Sequence, residues 1–209
     1  MEVEEKHVKE VYTAIADHFS NTRFCIWDFV KNFLETKTPH MRGIDIGCGN
    51  GKNMTINRDL DILGVDICDE LLNICREKNL PVINCDCCDI KLGENTFDYA
   101  MSVAVFHHMS NDMRRYKCLK EMIRILKPGG KGLFSVWSIE NQESRRDFDP
   151  GDNFVPWTRR KDGKRFMRFY YIFNRPMITE LLDIFKKKII INKIFNERGN
   201  WVVKFTKYC

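Results

Sequence analysis

The chain reads as an α/β fold built on a seven-stranded, mostly parallel sheet that ends in an antiparallel hairpin. Three observations carry that reading. Apolar runs of strand length alternate with amphipathic helical stretches from residue 42 to residue 137. The first of those strands runs into a turn with glycine at alternate positions, Gly47, Gly49 and Gly51. Near the end, two apolar runs flank a short polar turn.

Taken in order, Val8, Val11, Tyr12, Ile15 and Phe19 recur at helical spacing and predict a helix over 4–18. A second helix, 25–35 with Trp27, Val30, Phe33 and Leu34, stops before Pro39. These make residues 1–38 an N-terminal helical segment. Strands follow at 42–46, 61–66, 81–85, 97–104 and 131–137, with helices at 51–56, 69–78 and 112–126 between them. Lys127-Pro128-Gly129-Gly130 ends the last helix, glycine being preferred just past a terminus. Residues 138–170 break the alternation with polar, basic and aromatic residues, and 138–175 is expected to be a substrate-binding insertion. Helix returns at 176–185. Ile189-Ile190-Ile191 and Trp201-Val202-Val203 then flank Asn196 to Asn200 as the terminal hairpin.

A length of 209 residues suits one domain, 1–209. Hydrophobic residues at 44% and charged residues at 30% are ordinary for a soluble protein, and no apolar run reaches membrane-spanning length, so no membrane partner is expected. The acidic start, Met-Glu-Val-Glu-Glu-Lys, is no secretory signal. Nine scattered cysteines, an odd number, point to reduced thiols and a cytoplasmic or nuclear location. The net charge of +5 is too mild to establish a nucleic-acid partner.

The glycine turn lets backbone approach a ligand with no side chain in the way. Asp66 ends the second strand, where it can accept from a ribose diol. The spacing excludes the phosphate-binding loops: Gly47, Gly49 and Gly51 read G-x-G-x-G, Ile46 stands where a P-loop has its first glycine, and Asn53 follows Lys52. Asp45 would repel a pyrophosphate but suits a cationic amino-acid tail. That chemistry points to S-adenosylmethionine, the plainer alternative being a glycine turn with no ligand. Beyond the third strand, Asp86 can accept the adenine amino group and the Cys87 amide can meet a ring nitrogen; otherwise Asp86 caps the next turn. Val103 would lie along the methionine moiety, and one of His107 and His108 faces the methyl group unless both are structural. Cys85, Cys87 and Cys88 lack a second C-x-x-C pair, so no metal is expected. The stretch 157–169 holds six cations with aromatics between them, which suits phosphates and unstacked bases or else a solvated loop.

The sequence resembles the eukaryotic tRNA wobble-uridine carboxymethyl methyltransferase family nearly end to end. Val11-Tyr12 through Ala16-Asp17-His18-Phe19-Ser20-Asn21-Thr22-Arg23 is similar to its N-terminal segment, Asp45 to Lys52 to its cofactor loop, and Ser102 to His108 to its "SIAVIHH". Val155-Pro156-Trp157, Arg168-Phe169-Tyr170-Tyr171 and Glu197-Arg198-Gly199-Asn200-Trp201 are similar to its C-terminal signatures. Departures are Phe169 and Ile172 around the tyrosine pair and Val202 after Trp201. The resemblance implies a Rossmann-like class I methyltransferase, using S-adenosylmethionine to methylate the carboxylate of 5-carboxymethyluridine at the first anticodon position of tRNA. It also implies a small zinc-binding activator subunit at the third-strand edge. By the same resemblance, Arg23, His107 and Arg198 orient the carboxylate; Trp157, Arg168, Tyr170, Asn200 and Trp201 bind the substrate; and Tyr12 joins the cofactor residues. Two other readings stay open: a methyltransferase for a small carboxylic acid or metabolite, and a non-catalytic subunit that binds S-adenosylmethionine or RNA. Salt dependence of turnover separates the first, and calorimetry with the cofactor separates the second.

Overall fold

The computed structural model describes residues 2–22, 25–140 and 148–209. A helical turn α1 (Glu2–Glu4) and a π-helical turn (Glu5–Lys9) lead into α2 (Glu10–Thr22), so the helix expected over 4–18 extends at both ends. Then come α3 (Asp28–Leu34), β1 (Arg42–Ile46), β2 (Asp61–Asp66), α4 (Asp69–Glu77), β3 (Val82–Asn84), β4 (Phe97–Val103), α5 (Asp112–Ile125) and β5 (Leu126–Trp137). The chain continues through β6 (Gly151–Thr158), β7 (Arg165–Ile172), α6 (Arg175–Asp183), β8 (Ile189–Glu197) and β9 (Asn200–Lys207).

The main sheet has the order β3-β2-β1-β4-β5-β9-β8. Neighbours from β3 to β5 pair in parallel, while β9 runs antiparallel to both β5 and β8. The order reverses between β1 and β4, and a crevice opens at such a switch point beyond the carboxyl ends of the strands. Side chains alternate across the sheet as its pleat requires. Ala100, Phe134 and Val203 pack on the face carrying α5 and α6, and Tyr99, Met101, Leu133 and Val202 on the face carrying α3 and α4.

Two expectations are corrected. The helix expected over 51–56 is a 3₁₀ turn, Lys52–Thr55, entered from a left-handed Gly51. The region 138–170 is not simply irregular: β6 and β7 form a separate antiparallel pair, with Phe154 opposite Phe169 and Thr158 opposite Arg165. Its turn passes through Asp162 and Gly163, the latter at φ +68°. Among the described residues, no helix is long and apolar enough to cross a membrane.

Candidate active site

The loops after β1, β2, β3 and β4 line one cavity of about 1130 Å³, bounded also by the N-terminal helical segment, β7 and the β8–β9 turn. That volume exceeds the roughly 300–1,000 Å³ of a single small-molecule site. There is room for a cofactor and for part of a second molecule.

On the β1–β3 side, the Asp66 carboxylate accepts the Gly49 N–H at 2.8 Å and the Cys68 N–H at 2.9 Å. Burial raises its pKa, while those two amides and that of Ile67 oppose the rise. Gly47, Gly49 and Gly51 are all left-handed, at φ +71°, +56° and +74°, yet they serve different ends. A Cβ on Gly47 would stand 2.3 Å from Val105, so packing demands glycine there. A Cβ on Gly49 would meet nothing within 4 Å, which leaves bare backbone facing the cavity. Gly51 corrects the expectation that it touches the cofactor. It lies off the cavity wall, packed where a Cβ would meet Leu80 at 2.4 Å, because the chain has already turned into the 3₁₀ segment.

Asp45 is likewise beneath the wall rather than in it, fully buried within β1 between two neighbouring strands. Its Oδ2 accepts from Asn53 Nδ2 at 3.3 Å and its Oδ1 has no partner. Burial pushes the carboxyl up to about 7. Asp86 makes the turn-capping contact, its Oδ1 accepting the Cys88 N–H at 2.8 Å, and it also lines the cavity. Burial works against its charge, but a two-pronged contact from Arg114, at 2.8 and 3.1 Å, holds it below its ordinary value. Arg114 also bonds Glu4 at 3.0 Å, and Glu4 accepts from Ser110, which ties the N-terminal segment to the cofactor side. Cys87 and Val103 line the cavity, as does Ala104. Ala104 sits in the left-handed region at φ +62°, strain of about 1–3 kcal/mol of the kind that clusters where ligands bind.

The opposite side is aromatic and basic. Both histidines line the cavity. Burial, His108 and Arg168 lower His107 well below 6.5, and burial and Arg168 take His108 to about 4, so both rings are neutral at pH 7. Trp137 N–H donates to His107 Nδ1 at 3.0 Å, which puts the ring proton on Nε2; that atom has no hydrogen bond among the described residues. His108 is tied at both nitrogens, to the Phe169 carbonyl at 2.8 Å and to the Tyr12 hydroxyl at 3.1 Å. Tyr12 in turn lies 3.3 Å from the Tyr170 hydroxyl, which accepts a hydrogen bond from Arg168 Nη1 at 2.8 Å. A guanidinium can only donate and a carbonyl can only accept. The chain therefore has one direction: Arg168 to Tyr170, to Tyr12, to His108, to the Phe169 oxygen.

Arg168 is 2% exposed, its Nε is unpartnered, and no carboxylate pairs with it among the described residues. Its guanidinium lies 4.7 Å from the Trp157 ring and 5.1 Å from Tyr170. Trp157 is not part of the cavity wall. It backs Arg168 from behind and donates from Nε1 to His18 at 3.1 Å. Asn200 lines the cavity and closes the hairpin turn by donating to the Glu197 and Arg198 carbonyls. Trp201, next along β9, points to the other face, as strand alternation requires, and bonds Glu140 at 2.9 Å. Arg198 is exposed on the turn, at φ +47°, and reaches the cavity rim. Arg23 lies outside the described residues.

Of the six cations between 157 and 169, Arg159 is bonded to Asp162 and to the Ala14 carbonyl, and Arg168 is in the cavity wall. Arg160, Lys161, Lys164 and Arg165 remain exposed around the β6–β7 turn. Sequence reasoning missed Arg114 and Trp137, whose ring stacks on Tyr170 at 4.2 Å. Trp137 was findable, since it closes β5 at the carboxyl edge.

Residues 44–134 match a family model described as a methyltransferase domain. The chain is also 34% identical to the tRNA (carboxymethyluridine(34)-5-O)-methyltransferase of Schizosaccharomyces pombe, over 97% of each chain. This protein belongs to that methyltransferase family. Its Saccharomyces cerevisiae relative of the same name is 40% identical over 75% of this chain, and the Arabidopsis thaliana one 41% over 68%. The chain spans 58% and 35% of those two proteins. Among solved structures, a DhpI–SAM–HEP complex aligns with TM-score 0.71 at 16% identity, covering 94% of each chain. A methyltransferase in complex with the Haloferax volcanii Trm112 activator aligns at 0.69 and 15%, covering 98% of this chain and 99% of that one. Both show the same Rossmann-like fold.

S-adenosylmethionine is the cofactor of this methyltransferase. The residues present fit it: Asp66, in the cavity wall, is braced by two amides for a diol, and Gly49 offers open backbone.

Proposed function

We propose that this chain is the catalytic subunit that methylates the carboxylate of 5-carboxymethyluridine at the wobble position of tRNA anticodons, giving the methyl ester. One observation carries the reading beyond the family: Arg168, a buried guanidinium with no acid beside it among the described residues, lies in the wall of the same cavity as Asp66. A buried cation is costly unless an anion meets it, and a substrate carboxylate is such an anion. Arginine presents it with a planar fork that fixes the oxygens.

When bound, S-adenosylmethionine supplies an electrophilic methyl on a sulfonium. The carboxylate is already ionised at neutral pH, so the protein has no proton to remove. Arg168 and the His107 Nε2–H hold one oxygen, leaving the other to attack. Tyr170 and Trp137 stack in the wall beside them and suit a pyrimidine ring and the exclusion of water. The exposed cations around the β6–β7 turn suit anticodon-loop phosphates. Arg198 and Arg23 are assigned to the carboxylate as well.

A small zinc-binding activator at the β3 edge completes the proposal. β3 is a three-residue edge strand with half-buried Val82 and Ile83, and edges of that kind invite pairing when uncovered. All nine cysteines are free thiols, which suits the cytoplasm and the nucleus. Mass spectrometry of anticodon nucleosides after incubation of tRNA with S-adenosylmethionine, with and without the activator, tests the reading. Methyl ester at position 34 supports it; methyl on a ribose or on a ring atom, or no product even with the activator, removes it.

A further inference from the structure

Cys87, Cys88 and Cys118 bring their three Sγ atoms within 4.8 Å of one another, all buried. The first two are consecutive on the turn after β3, and the third comes from the middle of α5. A fourth sulfur joins them: Met109 Sδ lies 3.9 Å from Cys87 Sγ and 3.6 Å from Cys88 Sγ. Four sulfurs bound to one ion at about 2.3 Å stand roughly 3.8 Å apart in a tetrahedron. The two measured thioether contacts fall on either side of that value. Cys85, the remaining member of the sequence cluster, takes no part, its Sγ turned to the Asp86 and Asp89 carbonyls.

We propose that Cys87, Cys88, Cys118 and Met109 form a binding site for one soft, thiophilic metal ion, with Cu(I) the best match. Buried cysteines often serve as small apolar fillers. Here, however, three thiols lie close enough to share one ion and a thioether touches two of them, the four donors coming from three separate pieces of chain. Zinc sites draw on cysteine, histidine and carboxylates, whereas thiolate and thioether together select Cu(I). Cys87 and Met109 line the cavity, which gives the ion a route in. Each thiol that ligates releases its proton to solvent, so uptake tightens as pH rises. The bound ion would pin the Asp86–Cys88 turn, one wall of the cofactor site, to α5.

The test uses the full chain, reduced and anaerobic, with exposed Cys25 and Cys209 changed to serine to remove background binding. Cu(I) is offered from a coloured bicinchoninate complex. The expected result is withdrawal of one equivalent, an X-ray absorption spectrum with three or four sulfurs about the copper, and at least tenfold weaker uptake in Cys118→Ala that still binds S-adenosylmethionine. No withdrawal, unchanged uptake in Cys118→Ala, or two or fewer sulfurs about the metal overturns the site. Should Cys118→Ala fail to fold, the sulfur count in the parent chain decides by itself.

Discussion

Arg168 donates to the hydroxyl of Tyr170, two residues further along the same strand, at 2.8 Å. The two-residue spacing sets both side chains on one face of β7, and that face lines the cavity. The bond fixes the guanidinium while its Nε stays unpartnered. Losing charge-assisted contacts to a carboxylate costs about 1.5–3 kcal/mol. Arg168→Lys is therefore expected to lower kcat/KM for tRNA roughly 10- to 150-fold, with S-adenosylmethionine affinity within about twofold. Calorimetry with the cofactor beside methyl-transfer kinetics checks this; equal loss of both would move Arg168 to the cofactor.

The pH profile follows from the histidines. His107 titrates well below 6.5 and His108 at about 4, both through burial, so neither changes charge in the neutral range. We expect kcat to be flat from pH 8 down to about 5.5. His107→Gln should cost roughly 3- to 10-fold, the worth of one neutral hydrogen bond, without adding a limb. A wild-type limb near 6.5 that vanishes in His107→Gln would contradict the neutral ring.

Asp45 gives a pH effect of opposite origin. Folding lifts its carboxyl from 3.8 to about 7, so the folded chain retains a proton that the unfolded chain has lost. Stability from this group is complete below pH ~4 and falls away as pH rises through 7. Asp45→Asn is expected to stabilise the cofactor-free protein by roughly 1–3 kcal/mol at pH 8 and by almost nothing at pH 4. Denaturant melts at the two pH values measure it. If the carboxylate meets the cofactor's ammonium, calorimetry near pH 6 will show a proton released on binding, absent in the variant.

The glycines separate packing from binding. Gly47→Ala drives a methyl to 2.3 Å from Val105 at a left-handed φ, and should cost about 2–4 kcal/mol of stability. Gly49→Ala meets nothing in the protein and should cost about 1 kcal/mol for its φ, yet weaken S-adenosylmethionine binding at least tenfold. Thermal melts with and without cofactor distinguish the two; a Gly49→Ala chain that binds normally would take that backbone away from the ligand.

RNA contact through the β6–β7 turn predicts a steep salt dependence. For a single-stranded loop, each phosphate neutralised contributes about 0.7 to the log–log slope. Arg160→Ala and Arg165→Ala should each raise KM for tRNA and lower the slope of log(kcat/KM) against log[salt] by about that amount. A slope near zero in the parent protein would favour a small-molecule substrate.

Most of the sheet was legible because its strands are apolar runs separated by helices: the ends of β1 and β2 fall at the residues that periodicity assigns. The β6–β7 pair was obscured by its cations and aromatics, which read as irregular polarity. The cue lay in Asp162-Gly163, a strong hairpin dipeptide. Cavity-lining residues at strand ends were visible by position, as with Asp66 and Asp86. Those that depend on which way a side chain turns were not. Trp157 and Trp201 sit in the right segments but face away from the cavity, and Cys118 meets Cys87 and Cys88 only through the packing of α5.

The one-way run of protons from Arg168 to the Phe169 oxygen has a bearing on substrate choice. From the Tyr170 hydroxyl onward every hydrogen is already committed to the next oxygen or nitrogen, and the last stop is a peptide oxygen that takes up no proton. An alcohol, amine or amide offered in place of the acid must shed a proton as it accepts the methyl, and this relay gives that proton nowhere to go. Under the proposed function, an acid that arrives already charged needs no such acceptor, so this wiring favours it before any contact with the sugar or the base is counted.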